Sequence, residues 1–195
     1  MKTLLTSIVT FLLAAVLIFT LPASGEESIY ADTLRLHVLA ASDTTEDQQA
    51  KLFVRDAVLE KYGIAFAATE SKAEAELYLA SRLDEIRVYL QDMLAQKGLS
   101  YEIKVSLQEE WFDTRTYDTI TLPCGVYTAL VITLDEGKGQ NFFCMLYPAL
   151  CTAPALGDRM EIAEEGYGSE AYHLVTGKYD IRFRTLEFFS EIFGR

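Results

Sequence analysis

Residues 34–60 read LRLHVLAASDTTEDQQAKLFVRDAVLE, and they predict a strand, a polar turn and an amphipathic helix in direct succession. In the first six residues, apolar Leu34, Leu36 and Val38 alternate with polar side chains. A period of two is typical of a strand that buries one face and leaves the other in solvent. The segment therefore predicts a half-buried strand followed by a helix.

The start of the helix is marked by side-chain oxygens in the turn. Thr44 with Asp47, and Thr45 with Gln48, both have the spacing of a capping box. In this arrangement a hydroxyl accepts a hydrogen bond from a free backbone N–H of the first turn. The helix is therefore expected to begin near Glu46.

This helix is apolar on one side and charged on the other, and Gly63 is expected to end it in the left-handed conformation. Asp47, Lys51 and Arg55 follow one another at steps of four residues on the charged side. Pairs at that spacing contribute about 0.2–0.5 kcal/mol each, which is typical of a solvated helix face. The apolar side consists of Ala50, Phe53, Val54, Ala57 and Val58.

The rest of the chain adds a second helix, a run of strands and a final helix. This order predicts an α+β fold: a single domain with an antiparallel-rich sheet, covered on one face by two N-terminal helices and a C-terminal helix. Turn residues at 123–125 and 135–139 are expected to join strands as hairpins, and residues 152–177 are expected to be a loop. The predicted helices are residues 72–97, capped by Ser71 and ended by Gly98, and residues 179–193; the predicted strands are residues 101–107, 111–116, 126–134 and 142–147.

The chain of 195 residues carries a formal charge of −12 and has no run of basic residues. Nucleic acids and anionic lipid surfaces select for clusters of Lys and Arg, so neither is expected as a broad binding surface. Residues 1–25 combine Lys2, an apolar run and small residues at Ala23 and Gly25. This pattern is typical of either a cleaved export signal or an N-terminal membrane anchor. Both place the globular domain, residues 26–195, outside the cytoplasm.

Residue types that support catalysis are sparse. The two histidines are His37, on the polar face of the first strand, and His173, in the region expected to be a loop. His37 does not suit a triad with Ser42 and Asp43, because neighbours on one strand and its turn point in divergent directions. No histidines or cysteines have the spacing of a metal site. We therefore expect no catalytic residue, metal or cofactor.

One enzymatic alternative remains from the residues alone. An exported cell-wall hydrolase would use paired carboxylates, taken from Asp43, Asp47, Glu109 and Glu110. Such an enzyme requires a cleft in which two carboxylates converge, with the pKa of at least one of them raised.

The cysteines and the aromatic run before them each allow two interpretations. In an exported domain, Cys144 and Cys151 can form a disulfide across a short loop, which stabilises by about 2–3 kcal/mol if unstrained. The same spacing suits two buried thiols, and Cys124 is left over in either case. Residues 142–147 are too apolar for a strand with one wet face, which favours a central strand over a recognition surface.

Two segments resemble the stage II sporulation protein R family of endospore-forming bacteria. Residues 34–58, LRLHVLAASDTTEDQQAKLFVRDAV, are similar to the family pattern R-x-x-I-A-N-S-D-S-x-x-D-Q-x-x-K-x-x-x-R-D-A-V. Residues 122–151, LPCGVYTALVITLDEGKGQNFFCMLYPALC, are similar to P-A-G-x-Y-x-A-L followed by G-x-G-x-N-W-W-C-V-x-F-P-P-L-C. The residues that depart from these patterns are Ala41, Cys124, Phe142, Phe143 and Ala149.

The resemblance implies a signalling protein without catalytic activity of its own. Family members are exported from the forespore into the space between the forespore and mother-cell membranes. There they trigger a membrane-embedded aspartic protease of the mother cell, which cleaves the precursor of sigma factor E. The implied partner is that protease, with membrane contact only through residues 1–25 if they are retained. Our candidate partner-binding residues are Asp43, Asp47, Lys51, Arg55, Asp56, Asn141, Phe142 and Phe143.

Overall fold

The computed structural model describes residues 2–20, 26–117, 119–151 and 159–177. Helices and strands alternate in groups along this part of the chain, as an α+β fold requires. The helices are α1 (Lys2–Thr20), α2 (Glu26–Ala31), α3 (Thr45–Ala67), α4 (Lys72–Ala80), α5 (Leu83–Gln96), α6 (Arg159–Gly166) and α7 (Ser169–Thr176). The strands are β1 (Leu34–Leu39), β2 (Ile103–Phe112), β3 (Arg115–Tyr117), β4 (Ile120–Leu122), β5 (Gly125–Leu134) and β6 (Asn141–Tyr147).

A four-stranded sheet of order β2-β5-β1-β6 organises the fold. Strand β1 pairs in parallel with β5 and antiparallel with β6, and β2 pairs antiparallel with β5. Strands β3 and β4 form a small antiparallel sheet of their own. Antiparallel pairing dominates among the described strands, and the predicted α+β class with an antiparallel-rich sheet is confirmed.

The sheet is covered on both faces, so the prediction of one covered face is wrong. Along β1, Leu34, Leu36 and Val38 belong to a core formed with α3, α4 and α5. Arg35 and His37 point to the other face and are also buried, with exposures of 0% and 4%. Their face is closed by a second core, to which α2, α6, α7 and the β3–β4 sheet contribute. The alternation in the sequence separates two cores here, rather than core from solvent.

Helix α3 begins where the sequence predicts and ends later. Thr44 is its N-cap, and the Thr44 hydroxyl accepts a hydrogen bond from the backbone N–H of Asp47 at 3.3 Å. Gly63 does not end the helix but lies buried within it. Because Phe66 packs into the first core, burial of the last turn outweighs the cost of about 1 kcal/mol for a glycine inside a helix.

The single helix predicted over residues 72–97 is two helices. Ser71 caps α4 as predicted, and Gly98 follows α5 with a φ of 75°. Between the two helices, the Ser81 hydroxyl and the Arg82 guanidinium both donate hydrogen bonds to the backbone carbonyl of Tyr78, at 2.9 and 3.1 Å. Side chains that bond to backbone carbonyls in this way compete with the helical hydrogen bonds, which accounts for the break.

The turn at residues 135–139 is not the hairpin that the sequence predicts. It joins β5 to β6, but β1 lies between these two strands. The connection therefore crosses the end of β1, where the backbone N–H groups of Lys138 and Gly139 donate to the carbonyls of Ala41 and Ala40, at 3.3 and 2.9 Å.

Strand β6 lies at one end of the described sheet, so the interpretation of residues 142–147 as a central strand is wrong. Its apolar character has a different cause. Cys144 and Leu146 pack into the first core, whereas Met145 packs into the second. Both faces of this end strand are covered, which requires apolar residues at successive positions.

The remaining predictions concern residues 152–177, residues 179–193 and residues 1–25. Within residues 152–177, predicted as a loop, α6 and α7 are helical, because Ala163, Ala171 and Val175 anchor them in the second core. The helix predicted over residues 179–193 lies outside the described residues. No helix of the described part is long and apolar enough to cross a membrane. Residues 1–25 as an export signal or anchor stay a prediction.

Candidate functional site

Asp43 and Asp47 are occupied in holding the turn between β1 and α3. The Asp43 carboxylate accepts a hydrogen bond from the backbone N–H of Gln140 at 2.7 Å. The Asp47 carboxylate accepts hydrogen bonds from the hydroxyls of Ser42 and Tyr101, the latter at 2.6 Å. These donors, Ser42 first, lower the pKa of Asp47 below its ordinary value. Both aspartates thus have structural contacts.

Lys51 does not lie on a solvated face, as its spacing predicts, but is buried, with an exposure of 6%. Its ammonium donates hydrogen bonds to the side-chain oxygen of Gln48 at 2.6 Å and to the backbone carbonyl of Gln140 at 3.0 Å. Burial lowers the pKa of Lys51. Together with Asp43, this lysine fixes the residue that precedes β6.

Arg55, Asp56 and Phe142 come together at the surface. The Arg55 guanidinium lies 4.9 Å from the centre of the Phe142 ring, within the range of a cation–π contact. It also pairs with the exposed Asp56 carboxylate at 2.7 Å. These three residues line one side of a cavity of about 270 Å³. The other lining residues are Leu59, Tyr117, Ile120, Cys144, Met145, Leu150 and Cys151.

The two residues on either side of Phe142, Asn141 and Phe143, do not line this cavity. Asn141 is exposed at the start of β6. Phe143 faces the second core, where its ring centre lies 4.6 Å from that of His37 and 5.4 Å from that of Phe112. The guanidinium of Arg115 covers this ring at 5.2 Å. Of the predicted candidates in this strand, Phe142 alone lines the cavity.

A disulfide between Cys144 and Cys151 forms the wall of the cavity, with the two Cα atoms 6.2 Å apart. The disulfide interpretation of these cysteines is therefore confirmed. The Cys151 sulfur also accepts a hydrogen bond from the backbone N–H of Met145 at 3.0 Å. Cys124 is buried and lies outside this bond.

His37 takes part in a contact that the sequence does not predict. Its Nδ1 atom lies 2.6 Å from Oε2 of Glu110, a residue of β2. Strand β5 lies between β1 and β2 in the sheet. The other ring nitrogen, Nε2, is buried and has no hydrogen-bond partner among the described residues. Long-range pairing of β1 and β2 through β5 creates this contact, so no local pattern reveals it.

Arg35 is the second residue that sequence reasoning missed. It is fully buried, and its guanidinium carbon lies 3.9 Å from the ring centre of Phe112 and 5.0 Å from that of Tyr127. One nitrogen, Nη2, donates to the hydroxyl of Tyr117 at 2.7 Å. Nε and Nη1 have no hydrogen-bond partner in the part of the chain that the structure describes. An arginine between two leucines in a strand was the available signal.

The carboxylates named for a hydrolase are arranged differently from an acid–base pair. Glu109 and Glu110 are neighbours on β2, so their side chains project to opposite faces. Glu110 is bound to His37, and Asp47 has a lowered rather than a raised pKa. In the described part of the chain, no three His, Cys, Asp or Glu side chains are grouped so as to hold a metal ion.

Comparison with known proteins agrees with the resemblance of the two segments. A family model described as Stage II sporulation protein R matches residues 30–156. The protein named Stage II sporulation protein R of Bacillus subtilis (strain 168) is 36% identical over 118 residues, which cover 60% of this chain and 53% of that protein. The chain thus spans about half the length of this curated relative. No solved structure matches the chain. Since the family model covers well over half of its residues, the chain belongs to the stage II sporulation protein R family.

Proposed function

We propose that this chain is an exported signalling protein of sporulation that activates a membrane-embedded aspartic protease of the mother cell. The activated protease then processes the precursor of sigma factor E. Residues 1–25 would direct the chain from the forespore into the space between the two membranes, as a cleaved signal or as a retained anchor. Membership of the family supports this role.

The observation that carries the proposal is the contact between Arg55 and Phe142. Arg55 belongs to the first family-like segment and Phe142 to the second, and the two side chains meet at 4.9 Å beside the cavity. A surface made from both segments is a natural place for partner binding. We therefore assign the contact with the protease to Arg55, Asp56 and Phe142, together with exposed Asn141.

The other candidates would act on this surface indirectly. Asp43 and Lys51 hold the two backbone groups of Gln140, directly before Asn141, and Asp47 stabilises the turn that carries Asp43. Phe143 lies in β6 and packs against the second core. Their proposed role is to position β6, since their own polar groups are engaged within the domain.

Binding alone does not activate a protease. A partner shifts an equilibrium only by the difference between its affinities for two states. In this proposal the surface binds the active arrangement of the protease's outward-facing part more tightly than the inactive one.

Co-expression of the full chain with the protease and the sigma precursor tests the proposal. Cleavage of the precursor is expected only when all three are present, and its absence with a folded, exported chain contradicts the proposal. Arg55→Glu and Phe142→Ala are expected to reduce cleavage strongly, and because both side chains are half-buried, urea unfolding of each variant checks that the chain remains folded. The matched control is Arg87→Glu, which reverses an exposed arginine on α5 that pairs only with Asp84 among the described residues.

A further inference from the structure

The buried guanidinium of Arg35 lies next to the cavity beside β6. Arg35 is paired across the sheet with Met145, and its Nη2 atom donates to the hydroxyl of Tyr117. Met145 and Tyr117 both line the cavity. Two residues that line the cavity are therefore neighbours of this cation, Tyr117 through a hydrogen bond and Met145 through strand pairing.

Arg35 has no carboxylate partner among the described residues. Its guanidinium contacts the faces of Phe112 and Tyr127 and one phenol oxygen, while Nε and Nη1 make no hydrogen bond to any residue that the structure describes. Aromatic faces offset only part of the cost of removing a cation from water. Buried charges in proteins are otherwise paired, so the site is electrostatically incomplete without an anion.

Tyr117 connects the cation to the cavity. Its oxygen accepts the hydrogen bond from Arg35, so its own O–H remains to donate, and no acceptor for it is present among the described residues. A hydroxyl that accepts from a cationic donor is polarised and becomes a stronger donor itself. An acceptor in the cavity, above all a carboxylate, would complete a chain from Arg35 through Tyr117 to the ligand.

The remaining lining suits an acidic side chain rather than a free ion. Ile120, Met145 and Leu150 are buried and give the cavity an apolar lining that suits methylene groups, and half-buried Arg55 adds a second guanidinium to the lining. Asp56 already pairs with Arg55, so these two residues together do not favour an anionic ligand over a neutral one. An anion is favoured by the charge of Arg35, which has no carboxylate partner among the described residues, within a chain whose overall charge is −12.

We propose that this cavity binds an acidic side chain, a glutamate or aspartate on a segment of the protein partner, through the Tyr117 hydroxyl backed by Arg35 and through Arg55. This proposal rests on the proposed function, because it names the chemistry that the activated partner presents to the same surface. The occupant is a peptide segment, and a free small carboxylate is the competing outcome of the test.

Titration of the full chain, labelled at its arginine and tyrosine side chains for NMR, tests the site without the protease. The probes are a capped pentapeptide with one central glutamate, the same peptide with glutamine, and butyrate. The glutamate peptide is expected to shift the signals of Tyr117 and Arg35 and to bind roughly tenfold or more tightly than the glutamine peptide, because it forms charge-assisted hydrogen bonds. Equal binding of the two peptides overturns the proposal. Butyrate binding more tightly than the glutamate peptide overturns the peptide occupant.

Variants separate the contributions of Tyr117 and Arg55 to the affinity for the glutamate peptide. Tyr117→Phe keeps the ring and is expected to weaken the glutamate peptide roughly tenfold, to the level of the glutamine peptide. Arg55→Gln, at a half-buried position, is expected to weaken it less, and Arg87→Gln is expected to leave it unchanged; urea unfolding checks that both variants fold. Unaltered binding in both Tyr117→Phe and Arg55→Gln contradicts the proposal.

The precursor-cleavage assay distinguishes this inference from the proposed function. Tyr117→Phe is expected to lose cleavage together with peptide binding. A variant that loses the peptide yet supports normal cleavage overturns the acidic-partner site and leaves the activator role standing. A wild-type chain that binds the peptide but never triggers cleavage contradicts the activator role instead.

Discussion

Lys51 donates a hydrogen bond to the backbone carbonyl of Gln140 at 3.0 Å, and Asp43 accepts one from the N–H of the same residue at 2.7 Å. Both backbone groups of Gln140 are thus held by side chains from the first family-like segment. Because Asn141 begins β6, these two bonds determine where the end strand and Phe142 lie relative to α3.

Replacement of Lys51 by methionine tests this link. Lys51→Met keeps a long apolar stem but leaves the Gln140 carbonyl without its donor, so the free energy of unfolding is expected to fall by about 1–3 kcal/mol. Urea unfolding measures the loss. Lys138→Met, at an exposed lysine of the same loop, is the control and is expected to stay within about 0.5 kcal/mol of wild type. Equal stability of the two variants would show that the buried bonds contribute nothing.

The hydrogen bonds to Asp47 predict a dependence of stability on pH. Because the folded state lowers the pKa of Asp47, its carboxylate stabilises the fold above the pKa of an unfolded aspartate, about 3.9, and that contribution is lost as the pH falls through the folded pKa. Asp47→Asn is therefore expected to show a smaller loss of unfolding free energy between pH 5 and pH 2 than wild type. Tyr101→Phe, which removes one donor, is expected to lie between the two. Parallel pH profiles for all three proteins would contradict this assignment.

The disulfide predicts a thiol count and a stability change. Of the three cysteines, Cys144 and Cys151 are bonded, so the denatured, oxidised chain is expected to expose one reactive thiol and the reduced chain three. The double variant Cys144→Ser, Cys151→Ser is expected to lose about 2–3 kcal/mol of unfolding free energy, because the unfolded chain is no longer constrained. Three thiols in the oxidised sample would refute the bond.

Gly139 tests how closely the β5–β6 connection approaches the rest of the fold. A Cβ atom at this position would collide with the backbone carbonyl of Ser42, which cannot swing aside as a side chain can. Gly139→Ala is therefore expected to cost about 1–3 kcal/mol, the range found for overpacked sites. At Gly98 the φ of 75° is the only obstacle, with no atom within 4 Å of a new Cβ, so Gly98→Ala is expected to cost about 1 kcal/mol. The comparison fails if Gly139→Ala is the milder of the two in urea unfolding.

Features that depend on neighbours in the chain follow from the sequence. The caps Thr44 and Ser71, the stop at Gly98, the period of two in β1 and the stripe of α3 all rest on contacts within a few residues. Such features can be predicted from residues close together in the sequence, and the structure confirms the two caps and the stop at Gly98. The two family-like segments are local in the same sense.

Features that depend on which strands become neighbours do not follow from the sequence. Periodicity shows that Arg35 and His37 share a face of β1, but β5 and β6 on either side, and a second core above, decide that this face is buried. Likewise, nothing in the spacing of Lys51 distinguishes it from Arg55, although Lys51 is buried against Gln140 and Arg55 is half-buried and lines the cavity.

The amino-acid order by itself determined the succession of β1 and α3, the helix caps at Thr44 and Ser71 and the resemblance to the family. Only the tertiary structure decided which polar residues are buried, that Arg55 and Phe142 meet, and that Arg35 bonds to Tyr117 with no carboxylate partner among the described residues. The physical reason is that helix and strand periods are local properties, whereas burial and charge pairing depend on which strands become neighbours. Here the connection from β5 to β6 crosses the end of β1 and places β1 between them. Residues far apart in the chain become neighbours only through that packing.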